Sequence, residues 1–324
     1  MRAFWKKIRY QIELAGLKLA VWLIPKLPRS VLRKFADVAG DLVFALDRHG
    51  RRVALANLEA AFGESLTLTR RRRIARDSFR NLGRAFLDLF WAQNLTRENY
   101  SDVLLMTGAE EAMARHKKGE GIIFITQHFG NFELMSLSVG FAGFAFKGIA
   151  QNFKNEALTP IFGKLRQVAG NEIIPQERAI LRLLREIKRG GACGFLVDLT
   201  LRLDEPSTLI DCFGLKTNVT IIQAWLHNRT GAPIYPLACI PRDDGRYEVR
   251  FLPELKFEPG ATEKNIAQAC WDIFEPIIRE MPECWLWAYK HWRYRPRGEE
   301  GRRYPFYANE SRKFDKRLAE EAKT

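Results

Sequence analysis

At 324 residues and 47% hydrophobic content, the chain can bury a large core, and its length suits one large domain or two small ones. With 52 lysines and arginines against 38 acids, a net charge of +14, it calls for an anionic partner: nucleic acid, an acidic membrane surface or a phosphorylated substrate. Its five cysteines (Cys193, Cys212, Cys239, Cys270 and Cys284) are scattered without a CxxC pair, which argues against a disulfide framework and a zinc site and reads as buried thiols of a cytosol-facing protein.

The first element covers residues 4–27. Its basic start, with Lys6, Lys7 and Arg9 around Phe4 and Trp5, leads into "LAGLKLAVWLIPKL". No small-residue cleavage site follows; the stretch reaches Pro25-Lys26-Leu27-Pro28 instead. A spanning helix needs roughly 20 apolar residues, and Glu13, Lys18 and Lys26 interrupt this one. An amphipathic interfacial helix fits better, with cations on lipid phosphates and Trp5, Trp22 and Leu23 at the acyl boundary. A single membrane anchor and an ordinary core helix stand as alternatives.

Apolar spacing predicts helices throughout residues 1–115: Val31 to Leu46, Arg51 to Phe62 stopped by Gly63, and a third from Thr69 to Asn94. The block Arg70 to Arg73 is a solvated helix face or a lipid contact. From residue 121 the pattern changes. Strands are predicted at "GIIFITQ", "FAFKGIA", "NEIIP", "ACGFLVD", "PIYPLACI" and "RYEVRFLPEL". Helices are predicted between them at "LTPIFGKLRQVAG", 177–191 and "TIIQAWLHNRTGA", with a closing helix "TEKNIAQACWDIFEPIIREM". This alternation predicts an α/β fold with a largely parallel central sheet flanked by helices, at 116–298, behind a helical N-terminal region. Residues 299–324 read as a charged, partly mobile tail.

One stretch concentrates chemistry. In "QHFGNFE", His128 ends a buried strand, Gly130 turns the chain, Asn131 is a good N-cap, and Glu133 falls in the first turn of the next helix. On one helix, residues five apart point about 140° away from each other; across a turn, Glu133 can reach back to the imidazole. A carboxylate on one ring nitrogen would fix the tautomer and leave the other as a general base. No serine or cysteine stands beside them, so the activated hydroxyl would be the substrate's. The spacing alone is a weak motif, but its place at the carboxyl end of a strand is where α/β sheets put their sites. The competing reading is a satisfied core histidine.

The motif resembles the His-four-residues-acid signature of the glycerolipid acyltransferase superfamily, and within it the chain resembles the bacterial lipid A biosynthesis (late) acyltransferase family over nearly its whole length. "RRVALANLEAAFGE" is similar to that family's "R…NL…F" block. "QNFKNEALTPIFGKLRQVAG" resembles "RPxxNPxLDxxxxxxR", with Asn155 and Arg166 at matching positions. "FLVD" resembles the strand ending in "DQD" or "DHD", with Asp198 as the match. "LIDCFGLKTNVT" resembles "VPFFGxxAxTxTG", and "WLWAYKHWRYRP" resembles "WLHRRFKTRP". The chain departs from the family at Gln151, Leu199 and Thr200. These changes leave the acceptor more open than the reaction.

The resemblance implies an acyltransferase with His128 and Glu133 catalytic and with Arg166, Asp198, Asn131 and Asn155 binding substrate. Arg166 would hold a phosphate or the charge developing at the acyl carbonyl. Asp198 would orient Arg166 or a substrate hydroxyl. The implied donor is acyl-carrier protein or acyl-CoA. The implied acceptor is a glycolipid or phospholipid: a lipid A precursor first, or a lysophospholipid, aminolipid or phosphoinositide mannoside. The implied location is the cytoplasmic face of the bacterial inner membrane, with no metal or cofactor. The tryptophan-rich C-terminal run is an interfacial belt or core packing. A hydrolase would want a GxSxG nucleophile, which is absent. A nucleic-acid binder would want clustered cations with stacking aromatics, and the cations here are scattered.

Overall fold

The computed structural model describes residues 2–150, 153–175 and 179–321. It opens with four helices: α1 (Arg2–Leu23), α2 (Arg29–Leu46), α3 (Arg48–Phe62) and α4 (Leu68–Trp91). Polar caps start two of them. Asp47 accepts from the Gly50 amide at 2.9 Å, and Thr67 accepts from the Arg70 amide at 3.2 Å. Helix α2 lies along α4 through Leu32, Ala36 and Gly40.

Strands and helices then alternate through β1 (Leu104–Thr107), α5 (Glu110–Lys117), β2 (Ile122–Thr126), α6 (Phe132–Phe141), β3 (Phe146–Ala150) and α7 (Thr159–Arg166). Next come β4 (Glu172–Pro175), α8 (Ala179–Lys188), β5 (Ala192–Leu196), the hairpin β6 (Ser207–Cys212) and β7 (Leu215–Thr220), and α9 (Ile222–Thr230). The chain closes with β8 (Ile234–Pro241), β9 (Tyr247–Phe251), α10 (Glu263–Asp272), α11 (Glu275–Glu280) and α12 (Arg312–Glu321).

Seven strands form one sheet in the order β1-β9-β8-β2-β5-β3-β4. Strands β8, β2, β5, β3 and β4 run parallel; β9 runs against β8, and β1 follows β9. The fold is thus the expected α/β class with a mostly parallel sheet and a helical N-terminal region. Strand β2 explains its own unbroken apolar run. Ile123 and Ile125 enter the core on one face of the sheet, and Ile122 and Phe124 enter the core on the other.

Four local expectations are corrected. Residues 104–107 lie inside the stretch read as helical, yet form β1, because β9 offers a free edge to pair with. The segment after Asp198 carries the β6–β7 hairpin. The closing helix divides into α10 and α11 ahead of Pro276, which has no amide hydrogen to continue the ladder. The tail is tied down: α12 buries Phe314 against Leu203 and Leu209, and Arg317 donates to Asn218 at 2.7 Å. Gln151 and Glu177 lie outside the described residues. Among the described residues no helix is long and apolar enough to cross a membrane.

Candidate active site

Strands β2 and β5 are parallel neighbours, with Ile122 opposite Ala192 and Thr126 opposite Leu196. The same offset continues past the strand ends, where the Val197 amide bonds the Thr126 carbonyl at 2.9 Å. It brings His128 against Asp198. The imidazole Nδ1 lies 2.8 Å from Asp198 Oδ1, and the His128 amide donates to Oδ2 at 3.0 Å. Trp285 Nε1 also donates to Oδ2, at 3.0 Å. Asp198 is fully buried. Burial pushes its carboxyl pKa up, but the charge of His128 and the hydrogen bonds from it outweigh that, and the net shift is downward. It is therefore a carboxylate aimed at Nδ1. Nε2 has no protein partner among the described residues, and the ring borders a cavity.

The turn after His128 is held from several sides. Gly130 has φ +56°, and a Cβ there would fall 1.8 Å from the Cys239 carbonyl oxygen, so only glycine fits. Its amide donates to the Cys284 carbonyl at 2.8 Å, and the Leu286 amide donates to the His128 carbonyl at 3.1 Å. Asn131 caps α6 as the sequence predicts, accepting from the Leu134 amide at 3.0 Å. Its Nδ2 donates to buried Asp88 at 2.8 Å, and Asp88 is also gripped by Arg29 at 2.9 and 3.1 Å. Both ends of the amide of Asn131, read from the sequence as a substrate contact, are thus committed to the fold.

Glu133 does not supply the bond to the ring. Its carboxylate takes two bonds from Arg166, Nε to Oε2 at 2.9 Å and Nη2 to Oε1 at 2.5 Å. A planar guanidinium matches a carboxylate with two parallel bonds, which an imidazole cannot offer. Burial pulls the Arg166 pKa down, the bonds and charge of Glu133 push it up, and the net shift is upward. Asp198, expected to orient Arg166 or a hydroxyl, is turned to His128 instead. Asn155, also read as a substrate contact, donates to the Tyr10 carbonyl and to Glu13, both at 3.1 Å, and so fastens α1 to the core.

Sequence reasoning passed over two residues behind the site. His291 stacks on Trp285 with ring centroids 3.9 Å apart, and its ring nitrogens lie 3.3 Å from the Asp198 carbonyl and 2.9 Å from that of Leu286. Burial pulls its pKa down to about 4, so it is neutral. Trp285 itself, like Trp287 and Trp292, is buried, so the C-terminal aromatic run is core packing. Asn57, from the "NL" block, supports this segment by donating to the carbonyls of Trp287 and Tyr289 at 2.7 and 2.6 Å. Thr200 is buried there as well, bonded to the His291 carbonyl.

The cavity measures about 480 Å³. It runs along the α6 face of the sheet, between side chains such as Phe132, Met135, Val139 and Phe146. His128, Glu133 and Arg166 border it together, as does Leu199. The five cysteines are all buried, and burial pushes every thiol pKa up, Cys193 and Cys239 to about 12. None can act as a thiolate nucleophile near neutral pH.

An imidazole backed by a buried carboxylate thus faces a largely apolar cavity, and the comparisons with known proteins place the chain among the acyltransferases. The sequence matches the bacterial lipid A biosynthesis acyltransferase family over residues 3–294, and the chain belongs to that family. It is 21% identical over 303 residues to the lipid A biosynthesis lauroyltransferase of Escherichia coli strain K12, covering 91% of this chain and 95% of that one. It is 23% identical over 298 residues to the lipid A biosynthesis palmitoleoyltransferase of the same strain, covering 90% and 94%. A shorter similarity, 28% over 180 residues, covers 54% of this chain and 57% of the phosphatidylinositol mannoside acyltransferase of Mycolicibacterium smegmatis.

Proposed function

We propose that the protein transfers a fatty acyl chain from an acyl-carrier-protein or CoA thioester to a hydroxyl of a lipid A precursor, with His128 as the general base. The observation that carries this reading is the Asp198–His128 pair, 2.8 Å apart, beside the apolar cavity. Nε2 accepts the proton of the acceptor hydroxyl as its oxygen attacks the thioester carbonyl. Asp198 stabilises the imidazolium. The tetrahedral intermediate collapses, the C–S bond breaks, and the thiolate takes the proton back from Nε2. The products are an ester and a free thiol, with no covalent enzyme intermediate. General-base catalysis of this kind contributes about 10²–10⁴-fold.

Arg166 is held by Glu133 through Nε and Nη2, which leaves Nη1 for an anionic group of the substrate or the oxyanion. Glu133 then positions Arg166 instead of His128. The acyl chain occupies the apolar cavity. Helix α1 holds the enzyme on the cytoplasmic face of the inner membrane, since Trp5, Ile12, Leu19 and Trp22 are exposed along it. The N-terminal region, the α/β core at 116–298 and the C-terminal segment work as one enzyme. The mannoside acyltransferase similarity favours a mannosylated phosphoinositide as the alternative acceptor.

The test combines purified protein with acyl-carrier-protein or CoA thioesters and a panel of lipid acceptors, with products followed by mass spectrometry. Acylated lipid A precursor is the expected product. Thioester hydrolysis alone, with no acceptor modified, would refute acyl transfer.

A further inference from the structure

Helix α2 is anchored on one side and bare on another. Leu32, Ala36 and Gly40 are buried against α4. Asp37 pairs with Arg84 at 2.6 Å, and Asp41 with Arg76 and Arg80, 2.6 Å from the Arg80 Nε. At 100° per residue, Val31, Phe35, Val38, Leu42 and Leu46 fall within an arc of about 80°, on the flank away from the two aspartates. Each of the five keeps 51–71% of its surface exposed. Single exposed apolar residues are ordinary; an unbroken row along one helix marks a contact surface.

We propose that this row on α2 rests on a lipid bilayer with anionic headgroups, as a second docking element beside α1. The inference rests on the enzyme working at a lipid surface, and charge selects that partner. The only acids of α2, Asp37 and Asp41, are both taken up by arginines of α4. Lys34 stands beside the row without an acidic partner among the described residues. Just before it in the chain, α1 and the turn after it carry Lys6, Lys7, Lys18 and Lys26, while the one acid of α1, Glu13, is bound by Arg9 and Asn155. Lys26 lies over the Trp22 ring and Lys6 over that of Tyr10, but none of these lysines is paired with a carboxylate among the described residues. Two consecutive helices therefore offer apolar side chains and un-neutralised cations with no free carboxylate, the combination an anionic interface rewards. Because α4 also supplies Leu82 and Phe86 to the cavity wall, docking through α2 sets the cavity in a fixed relation to the bilayer.

The full chain is floated with vesicles of phosphatidylcholine alone or mixed with phosphatidylglycerol. Wild type is compared with Phe35→Glu/Leu42→Glu and, separately, with the α1 variant Trp5→Glu/Trp22→Glu. The α2 variant is expected to lose at least about tenfold in partition onto the anionic vesicles, the factor that about 1.4 kcal/mol represents. Its turnover of detergent-dispersed substrates should stay at the wild-type level. Circular dichroism checks folding, and Phe35→Ser/Leu42→Ser replaces the charged pair if that pair unfolds. If the α2 variant floats like wild type while the α1 variant does not, the inference falls and membrane association stands. If wild type does not float, both fall. Light scattering that shows a dimer lost in the α2 variant, with partition unchanged, would make the row a subunit interface and overturn the proposal.

Discussion

Replacing Asp198 by Asn keeps the volume of the side chain and removes its charge. Three donors converge on the native carboxylate: His128 Nδ1–H and the His128 amide at 2.8 and 3.0 Å, and Trp285 Nε1–H at 3.0 Å. An amide can accept with its oxygen only, so its NH₂ faces either the ring or the two donors that share Oδ2, and each lost charge-assisted bond costs about 1.5–3 kcal/mol. If the NH₂ faces the ring, it donates to Nδ1 and moves the proton to Nε2, where the acceptor hydroxyl must be deprotonated. The equivalent change in the serine-protease triad costs about 10⁴ in kcat. We expect kcat to fall by about 10³–10⁴, with KM nearly unchanged. Titration of released thiol, with product confirmed by mass spectrometry, measures it. A kcat within tenfold of wild type would refute the role given to Asp198. The native carboxyl pKa is lowered, so its contribution to stability is complete above the unfolded carboxylate pKa and is lost only as pH falls through the lower folded value.

Arg166→Ala strands the buried Glu133 carboxylate and should cost about 3 kcal/mol of stability. Adding Glu133→Gln should restore stability but not turnover, a pattern that paired denaturant titrations and rate measurements would reveal. His291 has its folded pKa lowered to about 4 by burial, against an unfolded value of about 6.5. The unfolded chain therefore binds its proton first, and stability falls as pH drops from about 6.5 to 4, by about 3 kcal/mol in all at about 1.4 kcal/mol per pH unit. His291→Gln should flatten that part of the stability profile, and an unchanged slope would assign it to other groups. A Cβ at Gly194 would meet the Phe146 ring at 2.8 Å. Gly194→Ala should therefore push the ring into the cavity and shift kcat/KM towards shorter acyl donors by about tenfold, read by competition between thioesters.

Much of the site can be read before the structure is known. Gly121 to His128 and Gly191 to Asp198 are each eight residues long, a largely apolar strand ending in a titratable side chain. Laying the two strands side by side in parallel from their glycines pairs His128 with Asp198. The five-residue spacing to Glu133 is local, and Glu133 borders the same cavity as His128. It misleads about the partner, because a competing cation 33 residues away on α7 is invisible to local spacing. Trp285 reaches Asp198 across 87 residues and Asn131 reaches Asp88 across 43, and neither bond has a periodic signature. The β6–β7 hairpin hid for a different reason. Its connection runs through Phe213 at φ +53° and Gly214 instead of a familiar polar turn pair.

The bond from Asn155 to α1 has a practical corollary. Asn155 is 6% exposed, and both partners of its amide nitrogen lie in residues 10–13. Two positions earlier, Phe153 forms part of the cavity wall and stacks on Phe162 at 4.7 Å. Trimming the first helix, a common step towards a more tractable enzyme, would leave that buried amide unsatisfied and slacken the stretch that carries Phe153. Substrate selectivity measured on such a shortened protein would describe a reshaped pocket, so inhibitor screening and chain-length profiling belong on the full-length protein.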